Sequence, residues 1–260
     1  MPKLTNGYSI TQLIVTHNSV QKPTRTCVIY HVLFTNVFHL ELVTFGYERN
    51  KTIFGAPYDF RFAPHSLTSY YQDLRQLIEH ASERNAGRKV VLVSHSLGGL
   101  VTLYFLRQQS QAWKDRYVHS FVPIATPWSG SVLMLHAMTS GYNFDIPLIT
   151  PLTVRQQQRM SEASLLLVPR APAWQPNDVL IATPTKNYSM TSYDEWFDDI
   201  GFSVGKDMKQ NVQTEAYALE HPGVHMYCWY GSGMLTDMFQ THAHALSVGT
   251  VQVLRGFSDS

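Results

Sequence analysis

A chain of 260 residues with 20 Lys and Arg against 19 Asp and Glu, and so a net charge of +1, is long enough for one sizeable core. It lacks the basic excess that nucleic-acid binding normally needs, which excludes that partner class. With 44% hydrophobic and 15% charged residues the composition is that of a globular domain, and its 14 Tyr, 13 Phe and 5 Trp fit either large buried surfaces or an apolar ligand.

The first thirty-odd residues are rich in Thr and Asn and weakly patterned. They show no charged start leading into a clean apolar run, so no signal peptide is expected there. The most apolar early window, Cys27 to Phe45, contains His31, Asn36, His39 and Glu41 and is too polar for a membrane span. Val37 to Phe45 fits a helix ending before Gly46. Gly55 to Pro64 holds two prolines and reads as an ordered loop with a short strand. From Ser66 the apolar residues Tyr70, Leu74, Leu77, Ile78 and Ala81 recur at helical spacing, and Gly87 marks the stop. Val90 to Val93 is an uninterrupted apolar run, as expected of a strand covered on both faces. Leu100, Leu103, Tyr104 and Leu106 begin the next helix, and Tyr117 to Ala125 is a second buried strand. Helix, strand, helix and strand at these lengths argue for a parallel α/β sheet.

After Pro127 the alternation loosens. Met134 to Met138 fits a helix, Asp145 to Leu152 an extended, proline-punctuated segment, and Met160 to Val168 is apolar without a clear period. Ser192 to Phe202 reads as a short acidic helix capped at Gly201, and Val224 to Tyr230 as a further strand. Asn50-Lys51-Thr52 and Asn187-Tyr188-Ser189 match the N-glycosylation acceptor pattern, which matters only on the secretory route.

The junction Ser94-His95-Ser96-Leu97-Gly98-Gly99 carries the chemistry. A nucleophilic serine needs its oxygen lifted clear of the backbone and a nearby amide for the oxyanion formed on attack. A tight turn from strand to helix supplies both. Here the strand comes first, Ser96 falls at the apex, Leu97 offers its amide and the two glycines open the helix. Ser94 stands where the usual G-x-S-x-G spelling has glycine, and it is small enough for the same packing.

Ser94 to Gly130, "SHSLGGLVTLYFLRQQSQAWKDRYVHSFVPIATPWSG", resembles the lecithin:cholesterol acyltransferase family, most closely its lysosomal phospholipase A2 branch. So do "FGYERNKTIFGAPYDFR" upstream and "IPLITPLTVRQQQRMSEASLLLVP", "TPTKNYSMTSYDEWFDDIGF" and "PGVHMYCWYGSG" downstream. These ordered blocks run from about Phe38 to Gly233. The resemblance implies an α/β-hydrolase fold with a mostly parallel central sheet flanked by helices, incomplete at both ends. Residues 1–35 would be an atypical leading segment and residues 36–260 a partial hydrolase domain with a cap-like insertion around 130–200. It implies transfer of a fatty acyl group from a phospholipid, or other lipid acyl ester, to water or an alcohol. Ser96 would be the nucleophile and Leu97 an oxyanion donor. Apart from the resemblance, Trp128 follows the C-terminal end of a strand, the edge where ligand sites of α/β sheets lie, and reads either as an acyl-chain contact or as a core tryptophan. The resemblance further implies no cofactor, a peripheral membrane or lipoprotein surface as partner, and a lysosomal or secreted location. Cys228 matches a cysteine that the family pairs with one farther along; with no such partner aligned, it would be a free thiol.

Three family parts are not found. Residues 1–35 show neither the Pro-Gly turn that provides a second oxyanion amide nor a convincing strand leading to it. Val248, in "SVGTVQ", falls where the orienting aspartate is expected, and no histidine follows His244. His242 and His244, with Asp237, are the nearest substitutes by composition, but they precede that aspartate position. His95, beside the nucleophile, should point away across the turn. In subtilisin, loss of the catalytic base costs about 2 × 10⁶ in kcat, on the order of 8 kcal/mol. The expectation is therefore that no histidine reaches Ser96 and that turnover is near background. The alternative to an active enzyme is a catalytically impaired lipid-binding protein, or a fragment lacking the Asp and His.

Other groupings are weaker. His221, His225 and Cys228, with His242 and His244, could be offered as a zinc site, but Pro222 and Gly223 interrupt the spacing. The carboxylates near Glu195 read as a solvated acidic face. Asp59 and Arg61 read as a buried structural pair.

Overall fold

The structure is a computed structural model and describes residues 12–16, 41–143, 146, 148–216, 219–232, 240–242 and 251–252. The chain divides into two units. The first comprises residues 1–127 and 218–231, the second residues 128–217 and 232–260.

The first unit is built on a five-stranded sheet of order β2-β1-β3-β4-β7, made of β1 (Gln12–Thr16), β2 (Ile53–Gly55), β3 (Val90–His95), β4 (Val118–Ile124) and β7 (His225–Met226). β3, β4 and β7 run parallel. β1 pairs antiparallel with both β2 and β3. Val90, Val91, Leu92 and Val93 are all buried, as an uninterrupted apolar run requires. Three helices flank the sheet: α1 (Thr68–Arg84), α2 (Leu97–Arg107) and α3 (Gln111–Tyr117). α1 packs on β1 and β3, α2 on β3 and β4, and α3 on β4.

The expected face of α1 holds at Leu74, Ile78 and Ala81 and differs at the tyrosines. Tyr71 is buried with Leu74, Ile78 and Ala81, while Tyr70 is half-buried and donates from its hydroxyl to Ala56 O at 3.2 Å. Tyr70 and Tyr71 both belong to an aromatic run with Tyr58, Tyr104, Phe105 and Trp113. Two adjacent tyrosines thus share the interface, which a strict 3.6 period does not anticipate. α1 stops where Gly87, at φ 74°, donates its N–H to Ser82 O at 2.9 Å. A positive φ of that kind favours glycine.

β1 overturns one expectation. The leading segment does contain a strand, Leu13-Ile14-Val15 with its two neighbours, inserted between β2 and β3 with Ile14 opposite Phe54 and Leu92. The remainder of residues 1–35, and with it the expected second oxyanion turn, lies outside the described residues.

The second unit contains α4 (Val132–Ser140), α5 (Pro151–Arg159), α6 (Glu162–Leu166), α7 (Tyr193–Asp199) and α8 (Val204–Ala216). Its small sheet has the order β6-β5-β8-β9, from β5 (Ile181–Ala182), β6 (Asn187–Tyr188), β8 (Gln240–His242) and β9 (Val251–Gln252). Leu135, Met138, Leu165, Leu166, Trp196 and Phe197 form its core. The segment expected to be extended through Leu152 instead turns helical at Pro151. Proline suits the first helical position, where an N–H has no partner to lose. Arg159 ties three helices together, donating to Met138 O at 2.7 Å and Ile200 O at 3.1 Å and lying over the Phe202 ring. Its partial burial, with Arg155 nearby, lowers its pKa to about 10.

Candidate active site

β3 delivers the chain to Ser96, and α2 begins at the next residue. Ser96 sits at φ 52°, ψ −128°, a sparsely populated conformation for a residue with a Cβ. Its N–H donates to Ile124 O, the last residue of the neighbouring parallel strand, at 2.9 Å, and its own carbonyl accepts from Gly99 N at 3.0 Å. The turn is therefore pinned from the sheet and from the helix, with the side chain half-buried at the apex. Leu97 heads α2, so its N–H is one of the first-turn amides without a carbonyl partner inside the helix. The helix dipole adds positive potential at that end. A carbonyl oxygen gaining negative charge beside Ser96 would meet both.

The small residues around the turn have a visible purpose. A Cβ on Gly99 would fall 1.9 Å from Thr126 Oγ1, so the first turn of α2 and the segment after β4 touch at van der Waals limits. Ser94 is buried, and its hydroxyl has no hydrogen-bond partner among the described residues. Serine here stands in for the glycine of the usual G-x-S-x-G spelling while leaving its hydroxyl without a partner among the described residues. Ala125 also takes a positive φ, 48°, and donates to Trp229 O at 2.8 Å. The C-terminal edge of β4 is thus framed by residues 225–229, which continue past β7 through a bridge from Trp229 to Ile124. Tyr227, Trp229 and Tyr230 along this segment are exposed. Neither Thr126 nor this aromatic run stands out in the sequence, because their importance comes from contacts with residues distant in the chain.

Trp128 belongs to the second unit. It is half-buried, and its carbonyl accepts from Arg170 Nη2 at 2.6 Å. His95 is half-buried. The side chain of His242, and all of Asp237, His244, Val248 and Cys27, lie outside the described residues. Among the described residues, no histidine hydrogen-bonds to the Ser96 hydroxyl, and no group of three or more His, Cys, Asp and Glu side chains is gathered as a metal site. His221 Nδ1 accepts from Gly223 N at 3.1 Å. Cys228 is an exposed free thiol.

Two side-chain groupings carry detail beyond the sequence reading. Asp59 and Arg61 do pair, through Nε at 2.9 and 3.1 Å, but the Arg61 side chain is 56% exposed. The Asp59 side chain is only 16% exposed, so the carboxylate is sheltered while the guanidinium meets solvent. The Arg61 guanidinium holds the Asp59 carboxyl below the usual range. The carboxylates of α7 are exposed, as expected of a solvated acidic face, and each also has a lysine partner. Asp194 pairs with Lys209, Asp198 with Lys206, and Glu195 and Asp199 with Lys186.

A strand-to-helix serine held this way, on a parallel sheet flanked by helices, coincides with a family match. The lecithin:cholesterol acyltransferase family model matches residues 20–221. The chain belongs to that family. It is 43% identical over 195 residues to the human protein named lysosomal phospholipase A and acyltransferase, covering 75% of this chain and 47% of the relative. Similar relatives are a chicken phosphatidylcholine-sterol acyltransferase, 40% identical over 195 residues with the same coverage, and an Arabidopsis thaliana lecithin-cholesterol acyltransferase-like protein, 40% identical over 200 residues, covering 74% of this chain and 46% of the relative. The chain spans about half the length of the curated relatives it matches. The α/β architecture with its parallel β3-β4-β7 strands is consistent with the α/β-hydrolase fold of the family.

Proposed function

We propose that this chain carries the nucleophile of a lipid acyltransferase of the phospholipase A type. The observation that carries the reading is the Ser96 turn, at φ 52° between β3 and α2. Ser96 Oγ attacks the ester carbonyl carbon of a phospholipid acyl chain, and the Leu97 amide donates to the oxyanion. The lysolipid alkoxide leaves with a proton, and water or an alcohol then takes the acyl group from Ser96. The chemistry calls for no organic cofactor. Trp128 is a candidate contact for the acyl chain. Relatives named as lysosomal support a lysosomal or secreted location.

Contact with lipid is peripheral in this reading. No described helix is long and apolar enough to cross a membrane. Leu148, Leu152 and Met160 in the second unit and Trp229 and Tyr230 in the first are large apolar or aromatic residues left exposed, and aromatic rings of that kind suit a lipid–water boundary.

The second, rival reading is a lipid-binding family member without a relay. Labelling with a fluorophosphonate separates the two. The acyltransferase reading expects fast labelling of the native chain, lost in Ser96→Ala; loss in His242→Ala or His244→Ala as well would identify the base. Labelling no faster than that of the urea-unfolded chain establishes the second reading.

A further inference from the structure

Asn50 opens the triplet Asn50-Lys51-Thr52, an acceptor pattern for N-linked glycan, and its place in the fold suits a modified residue. It is exposed and takes φ 56°, a left-handed conformation that Asn tolerates better than most residues. Its backbone N–H donates to Ile53 O at 2.8 Å, closing the turn that enters β2. Asn85 Nδ2, at the end of α1, donates to Lys51 O at 2.7 Å and braces the same turn. These bonds use backbone atoms of residues 50 and 51. Among the described residues the Asn50 carboxamide makes no hydrogen bond of its own, so a substituent on Nδ2 displaces nothing.

The strand order fixes where such a substituent would stand. β1 is antiparallel to both β2 and β3, so β2 runs parallel to β3. Val15 faces Ile53 on one side and Val91 on the other, which sets the start of β2 level with the start of β3. Asn50 precedes β2 and Ser96 follows β3. The two residues therefore lie at opposite ends of the sheet, and a bulky group at Asn50 is directed away from the elbow.

Thr52 supplies the hydroxyl that completes the triplet. In the fold, Thr52 Oγ1 accepts from Glu48 N at 2.8 Å and donates to Glu48 O at 3.4 Å. An enzyme that reads this hydroxyl must meet the chain before the turn closes.

We infer that Asn50 is an N-glycosylation site, modified on the unfolded chain, whose glycan stands at the sheet end remote from Ser96. The inference rests on the secretory part of the reading above. In the transfer, Asn50 Nδ2 forms a bond to the anomeric carbon of a lipid-diphosphate-linked oligosaccharide. The bond from that carbon to the diphosphate oxygen breaks, the lipid diphosphate leaves with the electron pair, and one amide proton passes to base.

The test is expression of the full chain behind an appended, cleavable secretory leader in animal cells. Glycan release in heavy-oxygen water then converts each occupied Asn to a mass-labelled Asp. The Asn50 peptide is expected to carry the label. Asn50→Gln and Thr52→Ala should each remove one glycan step on a gel, and Thr52→Ser should retain it. Unlabelled Asn50 in chains whose leader has been cleaved overturns the inference, whatever the state of Asn187. Because the leader imposes the route, that result leaves the acyl-transfer reading untouched.

Discussion

Gly99 and Thr126 share one volume: a Cβ on Gly99 would lie 1.9 Å from Thr126 Oγ1, 2.5 Å from Cγ2 and 2.7 Å from Cβ. Gly99 is in the first turn of the helix whose leading amide is the proposed oxyanion donor, so any shift there is felt at the site. Gly99→Ala should destabilise the chain by about 2 kcal/mol through overpacking and slow fluorophosphonate labelling of Ser96. Adding Thr126→Ala should return most of both, a coupling that a double-mutant cycle in urea measures. A cost for Gly99→Ala that is unchanged in the Thr126→Ala background would remove the contact as its cause.

Ser96 is itself a strained residue. A non-glycine held at φ 52° costs roughly 1–3 kcal/mol, whereas glycine adopts that conformation freely and loses about 0.5–1 kcal/mol in chain entropy. Ser96→Gly should therefore raise stability by about 1 kcal/mol, with labelling abolished. Ser96→Ala keeps the Cβ and should stay within about 0.5 kcal/mol of the parent. Equal urea midpoints for the two variants would show that no strain is stored at the turn.

The elbow is legible in sequence because its signal is local. Four β-branched or Leu residues, a small-residue turn and a helical period follow one another within twenty positions, and the structure has β3, Ser96 and α2 in that order. β1 is not legible, because its five residues gain meaning only by pairing with residues 53–55 and 90–94, which no neighbouring pattern announces. The Gly99–Thr126 contact and the Trp229–Ala125 hydrogen bond are hidden for the same reason. The lysines that face the carboxylates of α7 come partly from α8, at Lys206 and Lys209, so the acidic run read by itself shows a solvated face but not its ion pairs. Asp59 and Arg61 pair as the sequence suggests, yet only the Asp59 side of the pair is sheltered, which the two residue types alone do not reveal.

Lys114 is buried on α3 and donates from Nζ to Pro222 O at 2.9 Å, while Gln111 Nε2 donates to Gly223 O at 2.9 Å. Together they anchor the chain entering β7. From there it runs to Trp229, whose carbonyl holds Ala125 N, next to the Ile124 carbonyl that holds Ser96 N. Lys114→Met preserves the apolar stem but leaves the Pro222 carbonyl without its charged donor, at a cost of roughly 1.5–3 kcal/mol. The expected result is a lower urea midpoint, a shift in Trp229 fluorescence and slower labelling of Ser96. Unchanged stability would mean that the carbonyl finds another partner and that Lys114 does not anchor β7.

The paired carboxylates set the response to acid. Asp198 is held below the usual carboxylate range by the hydrogen bond from Lys206, with Ser203 adding to it. Asp199 is held low by the Tyr188 hydroxyl first and Lys186 second, and Asp59 by Arg61. A depressed folded-state pKa contributes stability that is present above the unfolded carboxylate pKa and is lost as pH falls through the folded value. Lys186 is raised, first by its hydrogen bond to Glu195; its contribution is present below the unfolded lysine pKa and is lost as pH rises through the folded one. Stability should thus hold level across mildly acidic and neutral conditions and fall at both extremes. Most of these groups are solvent-exposed, so each contributes modestly and salt should weaken it. Asp199→Asn removes one depressed carboxylate together with an acceptor for Tyr188 and Lys186. Melting temperature measured against pH should then show a lower plateau for Asp199→Asn and a shallower acid limb, with the gap to the parent narrowing as pH falls and as salt rises. A gap that stays constant from neutral pH to strong acid would show that Asp199 stabilises the fold by packing and not by its charge.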